Sequence, residues 1–223
     1  MSTVSISPHR SQRNVSRQTR LVAERRADGV DVLIVDDQPW AIPRVSSTPG
    51  CKRQIRVIAT AESSDEALRM ATELKPDVCM VSATLEDWLR LAPRLKQLDE
   101  PPRTLIYGAA ADSRVIGAAI IAETDGLLRR YVGPEELADI IRRVSSGAKP
   151  FPSLQPEQCH ELLDCVDDRD RAIVAMLLER VPADYVASTL GLSARSLRVR
   201  RQAILTRLDA GRGSENDRPR QTR

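Results

Sequence analysis

The chain is expected to be an α/β protein: a five-stranded parallel sheet covered by helices on both faces, followed by a small all-α module. Two features predict this. Between residues 30 and 146, short apolar runs rich in β-branched residues alternate with helical patterns. After a proline-rich stretch the pattern changes to closely spaced helices with no strand among them. Strand, helix, strand in repetition implies parallel pairing, because parallel neighbours need a long crossover that a helix supplies.

The expected strands cover residues 30–35, 56–61, 78–81, 104–107 and 126–128. Helix signals are clearest at 65–74, behind the Ser63/Ser64 cap, and at 134–146, which opens with Pro-Glu-Glu and ends at Gly147. The first crossover is less regular, since Pro39, Pro43 and Pro49 leave room only for a short helix at 40–46. Residues 29–147 form the α/β unit, and 148–166, with Lys-Pro-Phe-Pro-Ser-Leu-Gln-Pro, reads as an extended linker. Residues 167–210 form the all-α module. It holds a helix capped at Asp167 or Asp168, a second at 183–190, the turn Gly191-Leu192-Ser193, and a third at 194–208. The flanks, 1–28 and 211–223, are Arg-rich and polar without apolar periodicity, and are expected to be a disordered basic arm and a disordered tail.

With 223 residues, 41% apolar, there is enough chain for two modest cores. No run approaches the roughly 18 apolar residues of a spanning helix, and the N-terminus lacks an apolar signal core, so no membrane partner and a cytoplasmic location are expected. A net charge of +3 says little by itself; its distribution says more. The four cysteines show no metal-type spacing, so no metal site is assigned to them and reduced, structural thiols are expected. Only two histidines are present, and no glycine-rich phosphate loop follows the first strand. Neither a nucleophilic triad nor a bound cofactor is expected, and the chain reads as a non-enzyme.

In the third C-terminal helix, Arg195, Arg198, Arg200, Arg201 and Arg207 fall within thirteen residues with no acid among them. Arginine contacts phosphate and pairs in bidentate fashion with guanine, and a basic helix directly after a glycine-containing turn is a DNA-reading arrangement. Ser193, Arg195, Ser196, Arg198, Arg200, Arg201 and Arg207 are the candidate contacts to double-stranded DNA. The stretches 168–174, 186–193, 196–198 and 204–205 resemble the LuxR-type helix-turn-helix. Ala172 and Tyr185 depart from it, standing where that family usually has Glu, and Arg200 stands where a His is common.

The first strand ends in Asp36-Asp37, at the carboxyl edge where open α/β sheets place their ligands. Such a pair can hold Mg²⁺ through oxygens. This pair, with Lys75-Pro76-Asp77-Val78, Thr124-Asp125-Gly126 and Gly133-Pro134-Glu135-Glu136-Leu137, resembles a response-regulator receiver domain of flavodoxin-like fold. Taken with the C-terminal module, residues 29–210 resemble a response regulator of the NarL/FixJ type.

The resemblance implies a phosphoryl-accepting Asp at the end of the third strand, where this chain has Ser82. A serine cannot form an acyl phosphate and removes a carboxylate from the expected Mg²⁺ site. The hydroxy-residue implied after strand four is Gly108, and the implied Lys after strand five is Arg130, which is placed to bridge Asp36 or Asp37 without metal. Asp36, Asp37, Ser82, Gly108 and Arg130 thus outline an altered pocket in an atypical, degenerate receiver that is two-component-like but not phosphorylated on aspartate. The expected protein is a DNA-binding transcriptional regulator. The alternative is a protein-interaction regulator that uses the pseudo-receiver and basic helix without sequence-specific DNA binding. A homodimer through the receiver face at 113–146, a small-molecule or protein input at the pocket, and a serine kinase acting on Ser82 complete the expectations.

Overall fold

The computed structural model describes residues 29–38, 55–109, 112–129 and 132–210. The two tails, the short helix expected at 40–46, and Arg130 lie outside the described residues.

Five strands form one parallel sheet in the order β2-β1-β3-β4-β5: β1 (Val30–Val35), β2 (Ile55–Ala61), β3 (Val78–Ser82), β4 (Arg103–Ala109) and β5 (Gly126–Arg129). All pairings are parallel, as the alternation requires. Strand side chains alternate between two cores. Leu33, Val35, Cys79, Val81 and Ile106 face the side covered by α1 (Ser64–Leu74), α2 (Trp88–Leu95) and α3 (Ser113–Ile121). Val32, Ile34, Met80, Leu105 and Tyr107 face α4 (Pro134–Ser145). At the amino edge, Asp125 is buried and accepts hydrogen bonds from the Thr104 backbone N–H at 2.8 Å, from Arg103 at 3.2 Å and from Lys96, tying β4 to β5.

Four helices follow: α5 (Pro156–Asp164), α6 (Asp168–Leu178), α7 (Ala183–Thr189) and α8 (Ala194–Ala210). Helix α5 corrects the expectation of extended backbone through the linker. Pro156 occupies the first helical turn, where a missing N–H costs nothing, and the Gln158 side chain accepts from the Gln155 N–H at 2.9 Å. The proline therefore starts a helix here. Before it, the Pro150 carbonyl accepts from the Leu127 N–H at 3.0 Å, and the Arg180 guanidinium lies 3.8 Å from the centre of the Phe151 ring. The connection is docked on both modules.

Helix α3 joins the two units. Every residue from Val115 to Ile121 is buried, so it has no polar face to give to water. One side rests on the sheet; the other is covered by α5, α6 and α8. A helix apolar all round has to be enclosed in this way. Gly117 permits the closest approach: a Cβ there would lie 2.6 Å from Leu162 Cδ1. Ile120, Ile121 and Leu162 are all buried, and each contributes about 1.5–3 kcal/mol. A single apolar cluster runs from Leu33 in the sheet to Leu208 in α8. This covering corrects the expected dimer face at 113–146, because its α3 half is taken by the chain's own C-terminal module and only α4 keeps an outward side, at Glu135, Glu136, Asp139, Arg142 and Arg143.

Replacing Gly117 with Val is expected to lower stability by about 1–3 kcal/mol through overpacking. Adding Leu162→Ala should recover part of that loss, although Leu162→Ala alone is destabilising. Denaturant unfolding of the four proteins in a double-mutant cycle measures the coupling, and strict additivity would contradict the contact.

Candidate functional site at the sheet edge and on the basic helix

At the carboxyl edge, alternation along β1, β3 and β4 places Asp36, Ser82 and Tyr107 on the same face. Ser82 pairs in register with Tyr107, and β3 lies between β1 and β4. The Tyr107 hydroxyl donates to Asp36 Oδ2 at 2.5 Å. Adjacent strands stand about 4.8 Å apart, so the two side chains together span two strand spacings, across β3 at the level of Ser82. The small serine leaves that path open. Asp36 Oδ1 accepts from the Gln38 N–H at 3.0 Å, so each oxygen of this buried carboxylate already has a donor.

Ser82 is fully buried, with its Oγ 2.7 Å from Thr84 Oγ1 and accepting from the Thr84 N–H at 3.3 Å. A kinase has no access to it, which corrects the serine-kinase expectation. Gly108 has φ 77° at the point where the β4–β5 register shifts. That backbone region favours glycine, so a hydroxy-residue here would be strained as well as absent. Asp37 is exposed on the rim.

The site brings together Asp36, Ser82 and Tyr107. Sequence reasoning missed Tyr107, although its parity with Leu105 on a strand ending at the ligand edge was a usable signal. A magnesium ion seeks near-octahedral oxygen ligation. The described residues offer one engaged buried carboxylate, one carboxylate on the rim and a serine hydroxyl bonded to Thr84. That donor set does not fit the ion.

On α8, Leu197, Ile204, Leu205 and Leu208 are buried. Arg195, Arg198, Val199 and Gln202, at i, i+3, i+4 and i+7, form one exposed stripe, with Val199 64% exposed. Ser193 Oγ accepts from the Ser196 N–H at 3.0 Å and caps the helix. The remaining arginines turn toward the protein. Arg200 Nε lies 3.6 Å from Asp170, a buried acid, and its Nη1 donates to the Arg169 carbonyl at 3.3 Å. Arg207 pairs with Asp167 at 2.7 Å and with Asp170 at 3.6 Å. Arg201 meets Glu123, just beyond α3, at 2.6 Å. Sequence reasoning pooled all five arginines and missed Val199 and Gln202, which the helical spacing from Arg195 would have placed beside Arg198.

Residues 32–142 match the response regulator receiver domain, so the chain carries a receiver domain of the response-regulator family. It is 22% identical over 192 residues to the response regulator protein VraR of Staphylococcus aureus, spanning 81% of this chain and 90% of that one. Its fold is similar to a LuxR-family two-component response regulator from Aurantimonas sp. (TM-score 0.50, 22% identity, 61% of this chain and 96% of that chain). It is also similar in fold to RcsB from Salmonella enterica serovar Typhimurium, in a structure bound to the promoter rprA (TM-score 0.50, 13% identity, 81% and 92%). No helix among the described residues is long and apolar enough to cross a membrane.

Burial is the first cause, and the Asp36 hydrogen bond with the negative charges of Asp36 and Asp37 the second, that push the Tyr107 phenol well above its ordinary range. Burial alone raises the Cys79 thiol to about 12. Both groups are held protonated by the fold, so the stability this confers is complete below their unfolded pKa values, about 8.5 for Cys and about 10 for Tyr, and is lost as the pH climbs past them. The melting temperature is expected to fall steadily from about pH 9 upward. Cys79→Ala and Tyr107→Phe should each flatten that fall; slopes identical to the parent's would contradict the assignment.

Proposed function

We propose that this chain is a DNA-binding transcriptional regulator of the response-regulator family whose receiver is not phosphorylated on aspartate. The observation that carries the DNA reading is the exposed stripe Arg195, Arg198, Val199 and Gln202 on a helix whose opposite side is buried. A helix of this kind presents two guanidinium groups for phosphate or guanine and one apolar surface for a thymine methyl. The promoter complex named for RcsB supports duplex DNA as the ligand. Ser193 acts as the cap, Arg200 and Arg207 hold α8 against α6, and Arg201 holds it against the receiver. In the receiver, Ser82 offers no carboxylate to phosphorylate, and Asp36 is committed to Tyr107.

The receiver unit extends over 29–147, the docked connector over 148–166 and the DNA-binding unit over 167–210, flanked by basic tails; the location is cytoplasmic. Dimerisation, which a palindromic site would favour, has α4 as its available receiver surface. A second reading, a regulator that binds a protein partner without DNA, is favoured by Tyr185, which is 62% exposed on α7, together with the exposed Val199.

Salt separates the two readings. In a selection from random duplexes, the full chain is expected to enrich a defined sequence and to lose affinity steeply with added salt. Arg195→Glu with Arg198→Glu should weaken binding at least about a hundredfold, about 2.7 kcal/mol, with unchanged circular dichroism. Salt-insensitive partner binding with no enriched duplex would favour the protein-partner reading.

A further inference from the structure

We infer that Tyr107 stands in for a bound cation at the carboxyl edge of the sheet: its hydroxyl is a built-in ligand that satisfies Asp36, closes the pocket to divalent ions and fixes the edge in one state.

Four observations carry this. The Tyr107 hydroxyl donates to Asp36 Oδ2 at 2.5 Å, and Asp36 is 2% exposed. A buried carboxylate needs compensation, which an acidic pocket can obtain from a metal or from hydrogen-bond donors; here two donors supply it. The phenol reaches Asp36 only across β3, at the position of Ser82. A carboxylate at 82 would bring a second acid under the ring, so Ser82 and Tyr107 are complementary choices. Finally, the Tyr107 carbonyl accepts from the Ala83 N–H at 2.8 Å, so the same residue also fastens the segment after β3.

Beyond Tyr107 the chain passes through Gly108, at φ 77°, toward Asp112, whose side chain caps α3 by accepting from the Arg114 N–H at 2.8 Å. The bond from Tyr107 to Asp36 therefore anchors the strand that delivers α3 to its place under the C-terminal module. In this chain the tyrosine holds that strand end without an exchangeable ligand.

The inference deepens the reading of the receiver as one that accepts no phosphoryl group, and the two fail separately. Mn²⁺ is the probe, followed by loss of the free-ion paramagnetic resonance signal on titration with the full chain. The wild type is expected to leave the signal unchanged. Tyr107→Leu, which keeps an apolar side chain but cannot reach Asp36, should bind Mn²⁺ saturably and at least tenfold more tightly than the wild type, and adding Asp36→Asn should remove that binding.

Saturable Mn²⁺ binding by the wild type that is lost in Asp36→Asn overturns the inference. So does a folded Tyr107→Leu that stays silent. Should Tyr107→Leu not fold, Tyr107→Phe carries the test: its melting temperature is expected to drop by several degrees, with partial recovery in Mg²⁺, and an unchanged melting temperature overturns the inference. Acetyl phosphate with Mg²⁺ forms the separate arm. An acyl phosphate on the chain sinks the non-accepting receiver, whereas Mn²⁺ binding without labelling sinks only the tyrosine closure.

Discussion

Helix α3 has no side that water can cover, and this constraint organises the molecule. From Val115 to Ile121 its residues are buried on the sheet side and on the outer side alike. Interfaces between domains of one chain are ordinarily more polar than this and are made to part. Here the outer side is core, continuous with the interiors of both modules. The docked connector follows from the same requirement, since Leu162 fills the surface that Gly117 leaves low. The ion pair of Arg201 with Glu123 sits at the border of that apolar contact, with the arginine side chain only 13% exposed, and sets the orientation of α8. What remains of the basic helix for a partner is the stripe facing away from this contact.

At the sheet edge, the substitutions read singly as losses form one consistent arrangement. Serine in the acceptor position clears a path, tyrosine on β4 uses it, and glycine takes a backbone conformation in which a hydroxy-residue would be strained. Asp36 keeps its charge partnered without an ion. On the proposed reading, a permanent internal ligand takes the place of a reversible one at this edge.

Much of this was legible in the sequence because period-2 and period-3.6 patterns are strong signals. The five strands were placed within a residue or two of their ends, and α1, α4, α6, α7 and α8 at nearly their full lengths. Alternation with helices implied the parallel sheet. Other features depended on tertiary contacts that no local pattern contains. Helix α5 was hidden by its prolines, because Pro156 reads as a breaker until the capping interaction of Gln155 with Gln158 and the pocket for Leu162 are known. The apolar run at 117–122 carries no local sign of what covers it; that both its sides are covered depends on residues some forty to ninety positions further along. Asp36 and Asp37 are marked by their place at the end of the first strand, and Ser82 and Gly108 by the receiver resemblance. Tyr107 was not, because its reach across a strand is a matter of side-chain length over a small neighbour. The arginines of α8 looked equivalent in sequence and were divided by Asp167, Asp170 and Glu123, acids distant in the chain.

On the proposed reading, the docked arrangement around α3 is built into the fold and does not depend on phosphoryl groups or divalent ions. Amide hydrogen exchange on the full chain, following α3 and α5 with and without acetyl phosphate and Mg²⁺, is the decisive measurement. These amides are expected to exchange only through global unfolding, at the same rates under both conditions. Exchange in α3 and α5 at a free energy well below global unfolding, or accelerated by the phosphodonor, would contradict it.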